Sequence, residues 1–361
     1  MVIFFLSTMN EWKFNTIHST ATYGTTSIVV DNAVSSTTTE SESESSWNKA
    51  IKEAEQELLE FDLEFNSKSD NDKHSNRAIM PSCLLPDNKG MDKLMKKLLI
   101  DADNRQRQEQ NYTHTHTHTT DKKSNILLPL PVLNMGMPKG GSSSLYEYSA
   151  CIGLKTTHYE RNQDEFEGIC MRDAARVGFP PLKTCAPQVE ALMQMDIAKP
   201  FGFGGKSKGM STSKKRDECF FPQLSLLEEI HQESSQATFI INFRPIHDWI
   251  KSVEEWSALL LRFSICHLPN LPFDVPSRLL VNQKKNGNRT AKVVVDQMMI
   301  QFFCSHVIHL RNFVNQHPSH TLIELDLYDS NKTQYVLDMI FQNQQQQPKV
   351  CWKQANKSNK S

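Results

Sequence analysis

The chain of 361 residues has almost no net charge: 40 Lys and Arg stand against 41 Asp and Glu, a formal balance of −1. That excludes the global basic field that draws a protein to nucleic acid or to an anionic membrane. No CxxC pair occurs among the eight cysteines, at 83, 151, 170, 185, 219, 266, 304 and 351. A zinc ribbon or thioredoxin-like centre is therefore excluded, and reduced, mostly buried thiols are expected, although an even number permits disulfides. Long apolar runs are missing too. Met1–Leu6 is the only one near the start, short of the roughly 7–15 residues of a signal core and the about 20 of a membrane helix. The sequence reads as soluble. Hydrophobic residues make up 38%, which is low for a wholly globular chain and implies a disordered part.

The disorder is expected within 1–125, a low-complexity N-terminal region. Thr16 to Ser46 is dense in Ser and Thr and closes on an alternating Glu-Ser run. Within the same region, 47–65 and 91–99 carry helical apolar spacing. The run Thr113-His-Thr-His-Thr-His-Thr119 places three alternating histidines on one face of an extended chain. No carboxylate or cysteine accompanies them, so the run reads as a linker and no metal site is assigned.

The character changes at Ile126, and 126–356 reads as one α/β domain, followed by a polar tail, 357–361. Buried strands are expected over 126–135, ending near 157–159, over 238–243 and over 321–327; helices over 143–150, 187–195, 221–233, 245–263 and 293–317. The alternation implies a mainly parallel central sheet flanked by helices. Residues 201–216, rich in Gly, Lys and Ser, read as a mobile insertion.

Two segments carry chemistry. The first strand runs into Pro138-Lys139-Gly140-Gly141-Ser142-Ser143-Ser144-Leu145. Glycines let backbone N–H groups approach an anion, a helix N-terminus adds partial positive charge, Lys139 adds a full one, and the serines add hydroxyl donors. A nucleoside-triphosphate loop places its lysine after the last glycine. Here Lys139 precedes both, and Ser142 follows. The second segment begins where strand 238–243 ends, at Arg244-Pro245, with Ser252 eight residues on. A strand's C-terminal edge in an open α/β sheet is where ligands bind, and a guanidinium there grips phosphate bidentately or serves a structural ion pair.

Together the two segments resemble those of the sulfotransferase family, whose PKxGTTxL-like loop and Arg/Ser pair bind the two phosphate ends of 3′-phosphoadenylyl sulfate. Serines replace both threonines of the loop and keep the hydroxyls. The resemblance spans roughly 130–356, and the passages Cys219–Gln223, Ala237–Trp256, His317–Leu327 and Cys351–Asn356 look like those of algal sulfotransferase-domain proteins. It implies a P-loop fold, 3′-phosphoadenylyl sulfate as co-substrate without metal, and a hydroxyl acceptor, carbohydrate by analogy. Lys139, Gly140, Gly141, Ser142, Ser143, Ser144, Arg244 and Ser252 would hold the donor. Arg289, on the loop before a long helix, would reach its 3′-phosphate. Lys353 and Lys357 loosely match a closing loop.

Lys139 would stabilise the leaving phosphate oxygen. The base that takes the acceptor's proton is sought among His158 first, then Glu160 and Asp196. The rivals are a P-loop kinase and a non-catalytic nucleotide-binding protein on the same fold. The resemblance is compatible with a Golgi lumen or, with no anchor visible, the cytoplasm.

Overall fold

The structure, a computed structural model, describes Lys49, Lys52, Glu53 and Gln56 together with residues 81–112, 128–162, 165–199, 218–256, 259–266, 268, 271, 289–341 and 351–352. All of them fall in the compact unit Glu42–Ser361. The Ser/Thr tract, the histidine run, the insertion at 201–216, the turn at 286–288 and the closing-loop lysines lie outside the described residues.

The elements in chain order are α1 (Asn88–Tyr112), β1 (Val132–Asn134), α2 (Ser142–Cys151), β2 (Thr156–Thr157), β3 (Glu160–Asn162), β4 (Glu165–Phe166), α3 (Glu167–Arg176), α4 (Pro181–Cys185), β5 (Ala191–Leu192), β6 (Ile197–Lys199), β7 (Glu218–Phe220), α5 (Pro222–Ser225), α6 (Leu227–Glu233), β8 (Thr238–Phe243), α7 (Ile246–Glu255), α8 (Leu259–Ile265), α9 (Arg289–Gln316), β9 (Thr321–Asp326) and α10 (Ser330–Phe341). Five of the strands form one sheet in the order β2-β5-β1-β8-β9, and every pairing in it is parallel. This is the expected α/β architecture. β3–β4 and β6–β7 form small antiparallel pairs beside it.

A parallel sheet is covered on both faces, and side chains alternate between them. Leu133, Met135, Phe239, Ile241 and Phe243 enter one core, with Trp249 of α7, Phe263 of α8 and Phe302, Val307 and Phe313 of α9. Val132, Ile240, Ile323 and Leu325 enter the other, with Met91 and Met95 of α1, Leu145 and Tyr148 of α2 and Leu337 and Ile340 of α10. The long α9 is apolar enough in composition to cross a bilayer. Here its Phe302, Phe303, Cys304, Val307, Leu310 and Phe313 are buried in the core.

Three expectations need correction. Residues 187–195 hold no helix. Ala191 and Leu192, good helix formers, are instead paired on both sides, with Val132 and Leu133 and with Thr156 and Thr157. Complete burial between two strands overrides intrinsic preference. The helix expected over 245–263 breaks at Trp256, between α7 and α8. The cysteines are not free: Cys83–Cys304, Cys151–Cys351, Cys170–Cys185 and Cys219–Cys266 are disulfides, with Cα atoms 5.0–5.8 Å apart. Three of those pairs join distant segments, which spacing along the chain does not show.

The N-terminal region read as low-complexity contributes to this fold from Pro81 onward. Arg311 of α9 grips Glu324 of β9 through Nε at 2.8 Å and Nη2 at 2.7 Å. The same guanidinium donates to the carbonyls of Ser82 and Leu85, and Asp87 N–H donates to Glu324. Glu324 is 7% exposed, so loss of its partner strands a buried charge. Arg311→Met should therefore cost about 3–5 kcal/mol of stability in urea unfolding, and pairing it with Glu324→Leu should recover much of the loss.

Acid should weaken the fold from the same helix. Burial lowers His306 to about 4 and His309 to about 3. Both stay neutral when folded, while the unfolded chain protonates near 6.5. Stability is thus full above about pH 6.5 and lost as pH falls from there toward about 4, by on the order of 3 kcal/mol for each. Equilibrium unfolding measured across that window checks the slope, which His306→Gln should reduce.

Candidate functional site

The sheet fixes where a ligand would sit. From β1 the chain goes to the edge strand β2 and returns to β5 beside β1 on one side, then crosses to β8 and β9 on the other. The order reverses between β1 and β8, and the crevice outside their C-terminal ends is the binding place in open α/β sheets. Both sequence motifs leave the sheet there: residues 135–141 follow β1, and Arg244 follows β8.

The loop after β1 is held from beneath, carbonyl by carbonyl. His306 Nε2 donates to Met135 O at 2.6 Å, Gln223 Nε2 reaches Gly136 O at 3.5 Å, Gly140 N–H donates to Met137 O at 3.0 Å and Trp249 Nε1 to Pro138 O at 2.8 Å. The buried Asn134 anchors the strand end, donating to Met193 O at 2.7 Å and accepting from Gly136 N–H at 3.0 Å. In a trans peptide N–H and C=O point opposite ways. Holding Gly136 O and Pro138 O inward therefore turns the N–H groups of Met137 and Lys139 to the other side. Lys139 has φ +66° and Gly141 +103°, the left-handed turns that gather successive N–H groups into an anion-binding concavity.

Gly141 is also the N-cap of α2 and offers no side-chain cap. The open first-turn N–H groups and the helix dipole favour negative charge at the same place. The φ of Gly141 favours glycine, and a Cβ there would lie 2.2 Å from Leu327 Cδ1, so the end of that leucine side chain would have to move aside.

Two cations converge on this loop. Lys139 is half-buried with Nζ 4.8 Å from the Trp256 ring centroid. Burial, and secondarily the charge of Arg244, pull its ammonium below the usual lysine range. Among the described residues neither Lys139 nor Arg244 has a carboxylate partner in an ion pair. Ser143 and Ser252 are half-buried, and Ser144 is buried. Arg289 opens α9, and its side chain lies outside the described residues.

Beside the cations runs a string of polar contacts. His158 Nε2 meets Ser142 Oγ at 3.3 Å, Ser142 donates to Gln194 Oε1 at 3.0 Å, and Gln194 and Gln223 each donate to Asp196, at 3.2 and 3.3 Å. The Ser142 hydroxyl, expected to face a phosphate, is turned to Gln194 instead. Burial lowers His158 to about 4 and raises Asp196 to about 6. The structure thus brings His158 and Asp196 into one network through Ser142. Glu160 is exposed beside Tyr159 and takes no part in it.

Sequence reasoning named the cations and the glycines but missed what holds them. Trp249 reads as one member of an apolar helix stripe, and His306 as a residue within an apolar helix. Asn134 did leave a signal: it is the one polar residue in the apolar run before the glycines. Gln223 and Gln194 left none. No family model, curated protein or solved structure matches the chain.

Trp249→Phe keeps the ring and removes its donor. It should cost about 1–2 kcal/mol, read by urea unfolding. Gly141→Ala should destabilise more, because the left-handed φ adds about 1–2 kcal/mol of strain to the clash with Leu327.

Proposed function

We propose that this chain is a sulfotransferase of P-loop architecture that moves a sulfuryl group from 3′-phosphoadenylyl sulfate to a hydroxyl, on a carbohydrate by family resemblance. The observation that carries the reading is the carbonyl-inward loop with two cations at one switch point that have no ion-pair partner among the described residues. A loop that offers N–H groups and Lys139, with Arg244 across the crevice on the neighbouring strand, suits a donor with phosphate at both ends. The residues present fit that donor: the loop for the 5′-phosphosulfate, Arg244 and Ser252 for the 3′-phosphate.

In the transfer, the acceptor oxygen forms a bond to sulfur as the bond from sulfur to the 5′-phosphate oxygen breaks. Negative charge grows on that leaving oxygen, and Lys139 and the open N–H groups stabilise it where it develops. His158 takes the acceptor's proton. Burial keeps its imidazole neutral and so able to accept, and a dianionic donor beside it would raise its basicity further. Four disulfides support an oxidising compartment such as the Golgi lumen over the cytoplasm. The kinase alternative lacks its lysine, since Ser142 stands where that residue would follow the last glycine.

Adenosine 3′,5′-bisphosphate binding tests the donor site by calorimetry. The wild type should bind, and Lys139→Ala and Arg244→Ala should each lose about 1.5–3 kcal/mol, tenfold or more in affinity. Absence of wild-type binding, or unchanged affinity in both variants, rejects the donor. Binding without transfer to any hydroxyl acceptor would leave the non-catalytic alternative.

A further inference from the structure

The polar string beside the cations has a direction, and the direction is set at one end. Asp196 is buried, and as a carboxylate it only accepts hydrogen bonds. Its Oδ2 takes the Nε2–H of Gln194 at 3.2 Å and its Oδ1 that of Gln223 at 3.3 Å. Gln194 is therefore oriented with Oε1 away from Asp196, toward the Oγ–H of Ser142 at 3.0 Å. A hydroxyl has a single proton. With that proton on the Gln194 side, Ser142 Oγ meets His158 Nε2, 3.3 Å away, only as an acceptor. The proton of the neutral imidazole must then sit on Nε2, and Nδ1 keeps its lone pair.

We infer that Asp196 is a positioning residue which, through Gln194 and Ser142, locks His158 in its Nε2–H tautomer and makes Nδ1 the atom that receives the acceptor's proton. Only the role of Nδ1 rests on the sulfuryl-transfer reading; the tautomer follows from the hydrogen bonds alone. Asp196 is thereby set apart from the base itself, because both its oxygens already accept from glutamines. The device also reaches the anion loop, since Gln223 Nε2 bridges Asp196 and Gly136 O.

The logic predicts its own reversal. An amide in place of the carboxylate can donate to Gln194, whose amide then turns over. Gln194 Nε2 would donate to Ser142, Ser142 would donate to His158 Nε2, and the imidazole proton would move to Nδ1. No packing contact need change.

Two-bond proton–nitrogen correlation spectra of the full histidine-labelled chain near neutral pH read the tautomer, with His158 assigned by its loss in His158→Gln. The wild type should show the Nε2–H pattern, and Asp196→Asn should shift His158 to the Nδ1–H pattern or populate both. Combining Asp196→Asn with Gln194→Glu places an acceptor-only group opposite Ser142 and should restore Nε2–H. A purely packing role for Asp196 would lower Tm and leave the tautomer alone, and that result overturns the inference. So does an Nδ1–H pattern in the wild type, which decides the matter even where Asp196→Asn fails to fold. In transfer assays Asp196→Asn should lower kcat roughly tenfold or more. If the wild type transfers nothing while the tautomer shift stands, the proposed reaction falls and the tautomer lock does not.

Discussion

A backbone loop can receive an anion only when its carbonyls face elsewhere, and that constraint organises this protein. Three buried side chains meet it, each from a different helix on one side of the sheet: His306 from α9, Trp249 from α7 and Gln223 from α5. Each is an N–H donor aimed at a loop carbonyl. Their precision is borrowed from the core, because Trp249 packs on Phe303 and α9 runs under β8 and β9. His306 can donate in this way as a neutral ring, and burial is what keeps it neutral. The inward set of the loop carbonyls is thus an outcome of core packing, and a shift of one helix is felt at the loop as a lost carbonyl partner.

The sheet that carries the loop is thin. β1 has three residues, and β2 and β5 have two each. Such short strands offer few ladder hydrogen bonds, and the cross-links lie where they are needed. Cys83–Cys304 and the Arg311–Glu324 pair bind the segment before α1 to α9 and β9. Cys151–Cys351 fastens Trp352 against Tyr148, on the helix whose N-terminus follows the glycine loop. Cys219–Cys266 ties β7 to the end of α8, which bears the Arg262 that stacks on Trp256 and donates to Ala198 of β6. Covalent closure of long loops limits the unfolded chain and compensates for a sheet with little intrinsic cohesion.

What could be read from the sequence follows the same division. Thr238–Phe243 and the run from Thr321 are continuous apolar or β-branched stretches, and they are strands over nearly the expected bounds. The glycine loop was legible because its chemistry is local: Lys139, Gly140 and Gly141 act through adjacent backbone. Ala191–Leu192 was not, since only its two neighbours make it a strand. The disulfides were not, since proximity in space leaves no mark in spacing. Trp249 was seen but misjudged, because its ring serves the core while its single N–H serves the loop. In sequence His158 and Asp196 read as competing bases, whereas the fold strings them together through Ser142 and Gln194, neither of which has a titratable signature.

The electrostatics of the crevice make the strongest physical case for a polyanion. Lys139 sits in a left-handed conformation that a non-glycine residue adopts at a cost. Its ammonium is partly desolvated and repelled by Arg244, and both effects oppose its charge. Neither cation has a described carboxylate within ion-pair distance, and the acidic group in the polar network, Asp196, is already held by two glutamine amides. A site built only for stability would have placed an acid between the two cations. An anion bound there would offset the repulsion, restore the lysine's proton affinity and draw on N–H groups already turned outward. A monoanion would answer one cation and leave the other; a ligand with phosphate at both ends answers the pair.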